Sequence, residues 1–327
     1  MLRALFRRLT LAASLVVLVS VSFSLLVPTA SAQNRASSPP CIQVSGDSSY
    51  HCYVTLDAIA PSGGSNLGIS ADMQIFTPQV APGDFESISQ MTIIGCYPSC
   101  TKPIQTFDIE VGWIVAPNQT WTYPDGTVHQ DSYTHLFVLT RIFYPPTKTS
   151  TPPCLVQPSA TTSGWSCGFN SNYPNGSPDF PGEVLSIANP TNASQVPTIP
   201  FVIVYSNGNW WIRYNGNWIG YIDGRWFNSN FNSVAEAQWS GEVGVYSNPP
   251  ATQMGNGTCG TITNTNTTFS AHMYNMLFAE SGYTVPALSK SLKSKQELTA
   301  KKYYNGSFYS ESNGSSTLSY GGPTGCP

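Results

Sequence analysis

The chain has 327 residues with 14 basic and 17 acidic side chains, a formal charge of −3, and only 9% charged residues against 41% hydrophobic ones. That length suits one large domain with a sizeable core. The acidic balance argues against a nucleic-acid partner, whose phosphates need a basic face.

In chain order, the first segment reads as an export signal. Arg3, Arg7 and Arg8 precede an apolar run over residues 9–27, and Ala30-Ser31-Ala32 offers a small-x-small cleavage site before Gln33. Residues 1–32 are therefore the predicted signal peptide. The apolar run exceeds the roughly 7–15 residues usual for a signal, so an uncleaved N-terminal anchor is the alternative. No later segment approaches the ~20 apolar residues of a membrane span. The mature chain is expected to be secreted and extracellular, with no membrane partner after cleavage. Without the leader's three arginines, 11 basic side chains face 17 acidic ones, a net charge of −6. A surface rich in Ser, Thr, Asn and Gly changes little in charge as carboxylates protonate, which suits acidic surroundings.

Residues 33–59 form a short polar lead-in, and residues 60–327 the expected catalytic domain. Over residues 53–115 short β-branched and apolar segments alternate with Gly, Pro and Asn turns, the pattern of antiparallel strands. Residues 145–200 read as long surface loops. The clearest local structure follows: Phe201-Val202-Ile203-Val204-Tyr205, Trp210-Trp211-Ile212-Arg213-Tyr214 and Trp218-Ile219-Gly220-Tyr221-Ile222 are separated by Asn207-Gly208 and Asn215-Gly216. Asn-Gly tolerates the positive φ of tight hairpins, so these are three strands of a meander, with Trp210, Ile212 and Tyr214 on one face. Helical patterns are few: residues 229–238, 271–279 and 294–302. Many short strands predict an all-β fold, a large antiparallel sandwich or barrel with few short helices.

All eight cysteines lie beyond the leader, and an even count in an exported chain reads as four disulfides. Proximity suggests Cys41–Cys52, Cys96–Cys100, Cys154–Cys167 and Cys259–Cys326, one of 105 possible pairings. Asn-x-Ser/Thr sequons at Asn118, Asn175, Asn192, Asn256, Asn266, Asn305 and Asn313 would carry glycans in a eukaryotic host.

Most hydrolytic signatures are missing. There is no Gly-x-Ser-x-Gly elbow, no His-Glu-x-x-His, no nucleotide-binding glycine pattern, and every cysteine is expected to be paired. Neither a cofactor nor a metal is expected. The four histidines are scattered, and His129 and His135 read as surface residues. Carboxylates remain. Glu110 lies in Phe107-Asp108-Ile109-Glu110-Val111-Gly112-Trp113, sharing a face with Asp108 and Gly112, while Glu242 lies in Trp239-Ser240-Gly241-Glu242-Val243-Gly244, with Ser240 and Gly244 on its face. Small neighbours on those faces suit a cleft. Alternation alone leaves the other reading open, a polar residue on the solvated side of a strand.

Taken together these motifs resemble the neprosin family of glutamic endopeptidases. Phe85-Glu86-Ser87-Ile88-Ser89-Gln90, Glu110-Val111-Gly112-Trp113, Gly208-Asn209-Trp210-Trp211-Ile212, Trp239-Ser240-Gly241-Glu242-Val243, Thr252-x-Met254-Gly255-Asn256-Gly257 and Tyr320-Gly321-Gly322-Pro323 follow the family's order over roughly residues 60–327. The resemblance implies two large antiparallel sheets with a concave substrate cleft. It also implies catalysis by Glu110 and Glu242 on protein or peptide substrates, with a preference for proline. The family's long activation segment has no counterpart before the matching region, and its Gly-Tyr-Trp-Pro is here Gly220-Tyr221-Ile222-Asp223.

The expected function is thus a secreted, acid-acting glutamic endopeptidase, acting as a monomer. Two close carboxyls hold one proton between them, so one activates water while the other serves the oxyanion and the departing nitrogen. Trp113, Trp211 and Tyr221 are candidate substrate-binding residues, core packing being the alternative for each. A glycoside hydrolase with two carboxylates, or a non-catalytic carbohydrate- or peptide-binding β-sandwich, is the alternative function.

Overall fold

The computed structural model describes residues 41–43, 49–60, 66–144, 152–158, 164–171, 179–185, 196–246, 250–260, 270–279, 294–299, 303–310, 316–323 and 326. The predicted signal peptide and the first part of the predicted lead-in lie outside these. Among the described residues the elements are strands and one 3-10 turn, Gly224–Phe227, and no helix is long and apolar enough to cross a membrane.

Two eight-stranded antiparallel sheets form the body. The first runs β1 (Ile42–Gln43), β2 (Tyr50–Ile59), β14 (Glu236–Val245), β4 (Glu86–Tyr97), β5 (Gln105–Val115), β8 (His135–Phe143) and β9 (Cys154–Leu155), with β16 (Ser294–Leu298) also paired to β2. The second runs β10 (Phe169–Ser171), β13 (Asn217–Asp223), β12 (Asn209–Tyr214), β11 (Thr198–Ser206), β3 (Gly68–Gln74), β15 (Ala271–Ala279), β18 (Ser316–Gly321) and β17 (Asn305–Ser310). A small hairpin, β6 (Trp121–Thr122) with β7 (Val128–His129), lies apart.

Period-2 alternation explains the layers. Phe107, Ile109, Val111 and Trp113 of β5, Val54 and Leu56 of β2, and Ala237, Trp239 and Val243 of β14 bury into one core with Phe201, Ile203, Trp210, Ile212 and Tyr214 of the second sheet. The alternate residues of the first sheet therefore face away from the second sheet. The predicted meander forms as β11, β12 and β13, and its turns carry φ of 51° and 81° at Asn207 and Gly208, and 48° and 83° at Asn215 and Gly216. The four disulfides are Cys41–Cys52, Cys96–Cys100, Cys154–Cys167 and Cys259–Cys326, as proximity suggested.

Three expectations are corrected. The helical patterns fall on strands: residues 271–279 are β15, hydrogen-bonded to β3 and β18 on both sides. A register shift between Tyr274 and Leu277, with Asn275 at φ 49°, breaks the period of two and mimics a helical spacing. Residues 229–238 begin as turn and enter β14, while β16 occupies the start of 294–302. Second, the lead-in boundary at residue 59 cuts away β2, a strand flanked by β1, β14 and β16 that belongs to the first sheet. Third, His135 is buried, its ring stacked on Trp121 and bonded to Asp131 and the Gly182 carbonyl; His129 is exposed, as expected.

Candidate active site

A cavity of about 550 Å³ opens on the face of the first sheet that turns away from the core. Five adjacent strands supply its floor: His51, Tyr53 and Thr55 from β2; Gln238, Ser240 and Glu242 from β14; Glu86, Ile88 and Gln90 from β4; Glu110 and Ile114 from β5; Phe137, Leu139 and Arg141 from β8. Each set has a spacing of two or a multiple of it, so alternation aims all of them one way. A second, smaller apolar cluster of Ile88, Ile114, Ala116, Trp121 and Phe137 makes one wall, while the charged groups gather elsewhere on the floor.

Both predicted glutamates reach this cavity, and both are buried. They are not neighbours in the ladder. Glu242 is opposite Ile88, Ile88 is opposite Ile114, and Glu110 lies four residues from Ile114, opposite Thr92. Two strand spacings and four residues separate their Cα atoms by about 17 Å in a flat sheet. Gln90 sits on the diagonal between them, two residues from Ile88 and two from Thr92.

Each carboxylate has its own partners. His51 Nδ1 lies 2.6 Å from Glu242 Oε1, and Gln90 Nε2 donates to Glu242 Oε2 at 3.2 Å. Burial, then the negative charge of Glu242, raises the Tyr53 hydroxyl well above its usual 10. Glu110 is ion-paired with Arg141, whose Nε donates to Asp108 Oδ2 at 3.1 Å. The carboxyl beside Glu242 is Glu86: the ligand atoms of His51, Glu86 and Glu242 all lie within 4.8 Å of one another. The expected direct proton-sharing contact between Glu110 and Glu242 thus gives way to two separate clusters, Glu86–His51–Glu242 and Asp108–Arg141–Glu110.

Burial, then the negative charge of Glu242, raises the Glu86 carboxyl from 4.5 to about 7, against the pull of His51 and Arg141. Burial likewise lifts Asp108 from 3.8 to about 6, opposed by Arg141. For His51 burial alone would lower the pKa, but the bond and charge of Glu242 raise it above 6.5. Near pH 5, then, Glu86 and Asp108 carry protons and His51 is charged. Raising the pH past 7 ionises both buried carboxyls, which adds one negative charge beside His51 and Glu242 and another beside Arg141. His51 with Glu86 and Glu242 also has the donor set of a small metal site.

The three aromatic candidates lie elsewhere. Trp113 is 0% exposed in the inter-sheet core, its indole donating to the Gln74 carbonyl at 2.9 Å. Trp211 and Tyr221 pack together, centroids 4.7 Å apart, on the outer face of the second sheet across the sandwich from the cavity. His51, Glu86, Gln90, Arg141 and Gln238 escaped the sequence reading. For β2 the signal was present in His51-x-Tyr53-x-Thr55, which alternates with the core residues Cys52, Val54 and Leu56, whereas Glu86-Ser87-Ile88-Ser89-Gln90 carries no such alternation.

These features define an all-β, disulfide-tied antiparallel sandwich with a carboxylate-lined cavity on one sheet. The family model described as Neprosin matches residues 177–323, which supports assignment of the chain to the neprosin family. The matched span includes Glu242 and leaves Glu110, His51, Glu86 and Gln90 outside it. Among solved structures, a Scytalido-glutamic peptidase with a peptide-based transition-state analogue aligns with a TM-score of 0.34 and 10% identity, covering 83% of this chain and 98% of that one. A β-porphyranase from the human gut bacterium Bacteroides plebeius aligns with a TM-score of 0.31 and 7% identity, covering 64% and 73%. No curated protein matches the sequence.

Proposed function

We propose that the chain is a secreted endopeptidase of the glutamic type that hydrolyses peptide bonds in acid, with Glu110 and Glu242 as its catalytic residues. The observation that carries this reading is the convergence of both glutamates, from β5 and β14, on one cavity beside Arg141. Glu242, oriented by His51 and Gln90, takes a proton from a water that attacks the peptide carbonyl and then returns it to the departing nitrogen. Glu110 holds Arg141, whose guanidinium faces the developing oxyanion. Acid favours this arrangement because Glu86 and Asp108 then keep their protons and the floor is not overloaded with negative charge. The wall of Ile88, Ile114, Phe137 and Leu139 suits an aliphatic or prolyl side chain next to the cleaved bond. Secretion is supported by four disulfides and by the leader-like residues 1–32.

The test is separate Glu110→Gln and Glu242→Gln substitutions, assayed on a denatured, proline-rich protein at about pH 3–5, where carboxyls titrate. Glu242→Gln is expected to abolish cleavage, and Glu110→Gln to lower it by about 10²–10³ by loosening the oxyanion's partner. Wild-type cleavage by either variant defeats the assignment, as does release of reducing sugar from polysaccharide without peptide cleavage.

A further inference from the structure

Three side chains with metal-binding atoms converge on the cavity floor from three different strands. His51 on β2 and Glu86 on β4 both stand directly opposite Gly244 of β14, one on each side, and Glu242 lies two residues along β14 on the same face. Gly244 carries no side chain, and the Phe85 ring fills the space above it, 2.1 Å from where a Cβ would stand. The same ring meets His51 edge-on at 5.3 Å and Tyr53 stacks on His51 at 6.0 Å, so the imidazole is held with Nδ1 turned toward the carboxyls. His51 Nδ1 lies 2.6 Å from Glu242 Oε1 and 3.9 Å from Glu86 Oε1, and one ligand atom from each residue lies within 4.8 Å of the others. Zn²⁺ sits about 2.0–2.2 Å from nitrogen and oxygen ligands, which puts two ligands of one tetrahedral ion about 3.3 Å apart. The two contacts of His51 straddle that value, and small rotations of two flexible glutamate side chains close the set. All three residues line the open cavity, with side chains 20% (His51), 20% (Glu86) and 9% (Glu242) exposed, so an ion can reach them and still be largely enclosed. Glu86 is the unsatisfied member. Among the described residues its one ion-pair contact is the 3.9 Å approach to His51, too long for a hydrogen bond.

We propose that His51 Nδ1, Glu86 and Glu242 form an inhibitory zinc site whose remaining ligand position faces the cavity. Two carboxylates and a neutral imidazole balance the two charges of the ion. A set of three ligands that includes an imidazole suits Zn²⁺ rather than Mg²⁺ or Ca²⁺, which take six or more ligands, mostly oxygen. The bound ion occupies the electron pairs with which Glu242 would accept the proton of the attacking water, so the loaded chain cannot perform that step. The inhibition rests on the peptidase reading, whereas the site itself does not. Glu110 and Arg141 belong to the separate cluster and are not ligands.

The experiment titrates chelator-treated protein with Zn²⁺ at about pH 7, where few protons compete for the ligands. Calorimetry reads the stoichiometry, and ¹⁵N-histidine labelling reads the His51 ring, assigned with His51→Gln. One zinc is expected per chain with the His51 resonance shifted, and Glu86→Gln and His51→Gln should each weaken binding about tenfold or more. Mg²⁺ at the same concentration should leave the ring unmoved. Glu86→Gln is the variant least prone to unfold, because it keeps the shape of the side chain and removes only its charge. In a cleavage assay at about pH 6, zinc sufficient to shift the His51 ring fully should abolish hydrolysis and EDTA should restore it. Glu86→Gln should need about tenfold more zinc for the same inhibition, each rate taken relative to the same protein without metal. No zinc bound at millimolar concentration, an unmoved His51 ring, undiminished affinity in both variants, hydrolysis that persists with the ring fully shifted, or hydrolysis that requires zinc overturns the proposal. Zinc bound as described to a chain that cleaves no peptide leaves the site standing and removes the peptidase reading. Cleavage that is lost in Glu242→Gln, in a protein whose His51 never responds to zinc, does the reverse.

Discussion

Replacing Glu86 by Gln should change stability in a pH-dependent way whose sign and size follow from the site. The Glu86 carboxyl is 20% exposed, its Oε1 lies 3.9 Å from His51 Nδ1, and it is raised from 4.5 to about 7, first by burial and then by Glu242. Between those values the folded chain retains a proton that the unfolded chain has lost, so wild-type stability is highest below 4.5 and falls as pH rises through 7. The full difference is about 3 kcal/mol. Glu86→Gln removes the ionisation and its penalty. Variant and wild type should differ little at pH 4, and the variant should be the more stable by about 3 kcal/mol at pH 8. Urea unfolding monitored by tryptophan fluorescence, with disulfides kept oxidised, reads this directly. An identical change in stability at both pH values, or a variant weaker at pH 8, refutes the raised ionisation of Glu86.

Arg141→Met should strand Asp108 and Glu110 without their cation and cost about 3–5 kcal/mol at pH 7. Thermal melts should show a smaller loss at pH 4, where Asp108, raised to about 6, is protonated. His272 is fully buried, and burial lowers its pKa from 6.5 to about 4 against the opposing pull of the Ser270 backbone. The unfolded chain binds a proton there first, so stability should fall by about 3 kcal/mol as pH drops from 6.5 to 4, and urea titrations of His272→Leu should show that dependence gone. At Gly112 a Cβ would stand 2.0 Å from the Ser89 carbonyl oxygen. Gly112→Ala should therefore cost roughly 2 kcal/mol or more in equilibrium unfolding, since backbone rather than a flexible side chain must move.

Which face each glutamate occupies was legible because alternation is a local property of a strand. Asp108, Glu110 and Gly112 alternate with Ile109, Val111 and Trp113 in the sequence as they do across the sheet. The same alternation already placed Trp113 on the core side, so reading it as substrate-binding contradicted the pattern that put Glu110 in the cavity. Trp211 likewise stands between the core-facing Trp210 and Ile212, so alternation puts it on the opposite face. Local pattern could not reveal the neighbours of Glu242. β14 enters the sheet between β2 and β4, strands from far earlier in the chain, and this places His51 against a carboxylate 191 residues away. Sheet order is settled by global packing and pairing, on which alternation is silent. Register decides chemistry as well as geometry. Had Glu110 and Glu242 stood directly opposite each other, one would have had to hold the other's proton. Offset by two strands and four residues, each takes a cationic partner, and the retained protons pass to Glu86 and Asp108. The acid dependence of such a floor belongs to residues beside the two glutamates, so substitutions at Glu86 and Asp108 should move a pH profile that Glu110→Gln would only scale down and Glu242→Gln would erase.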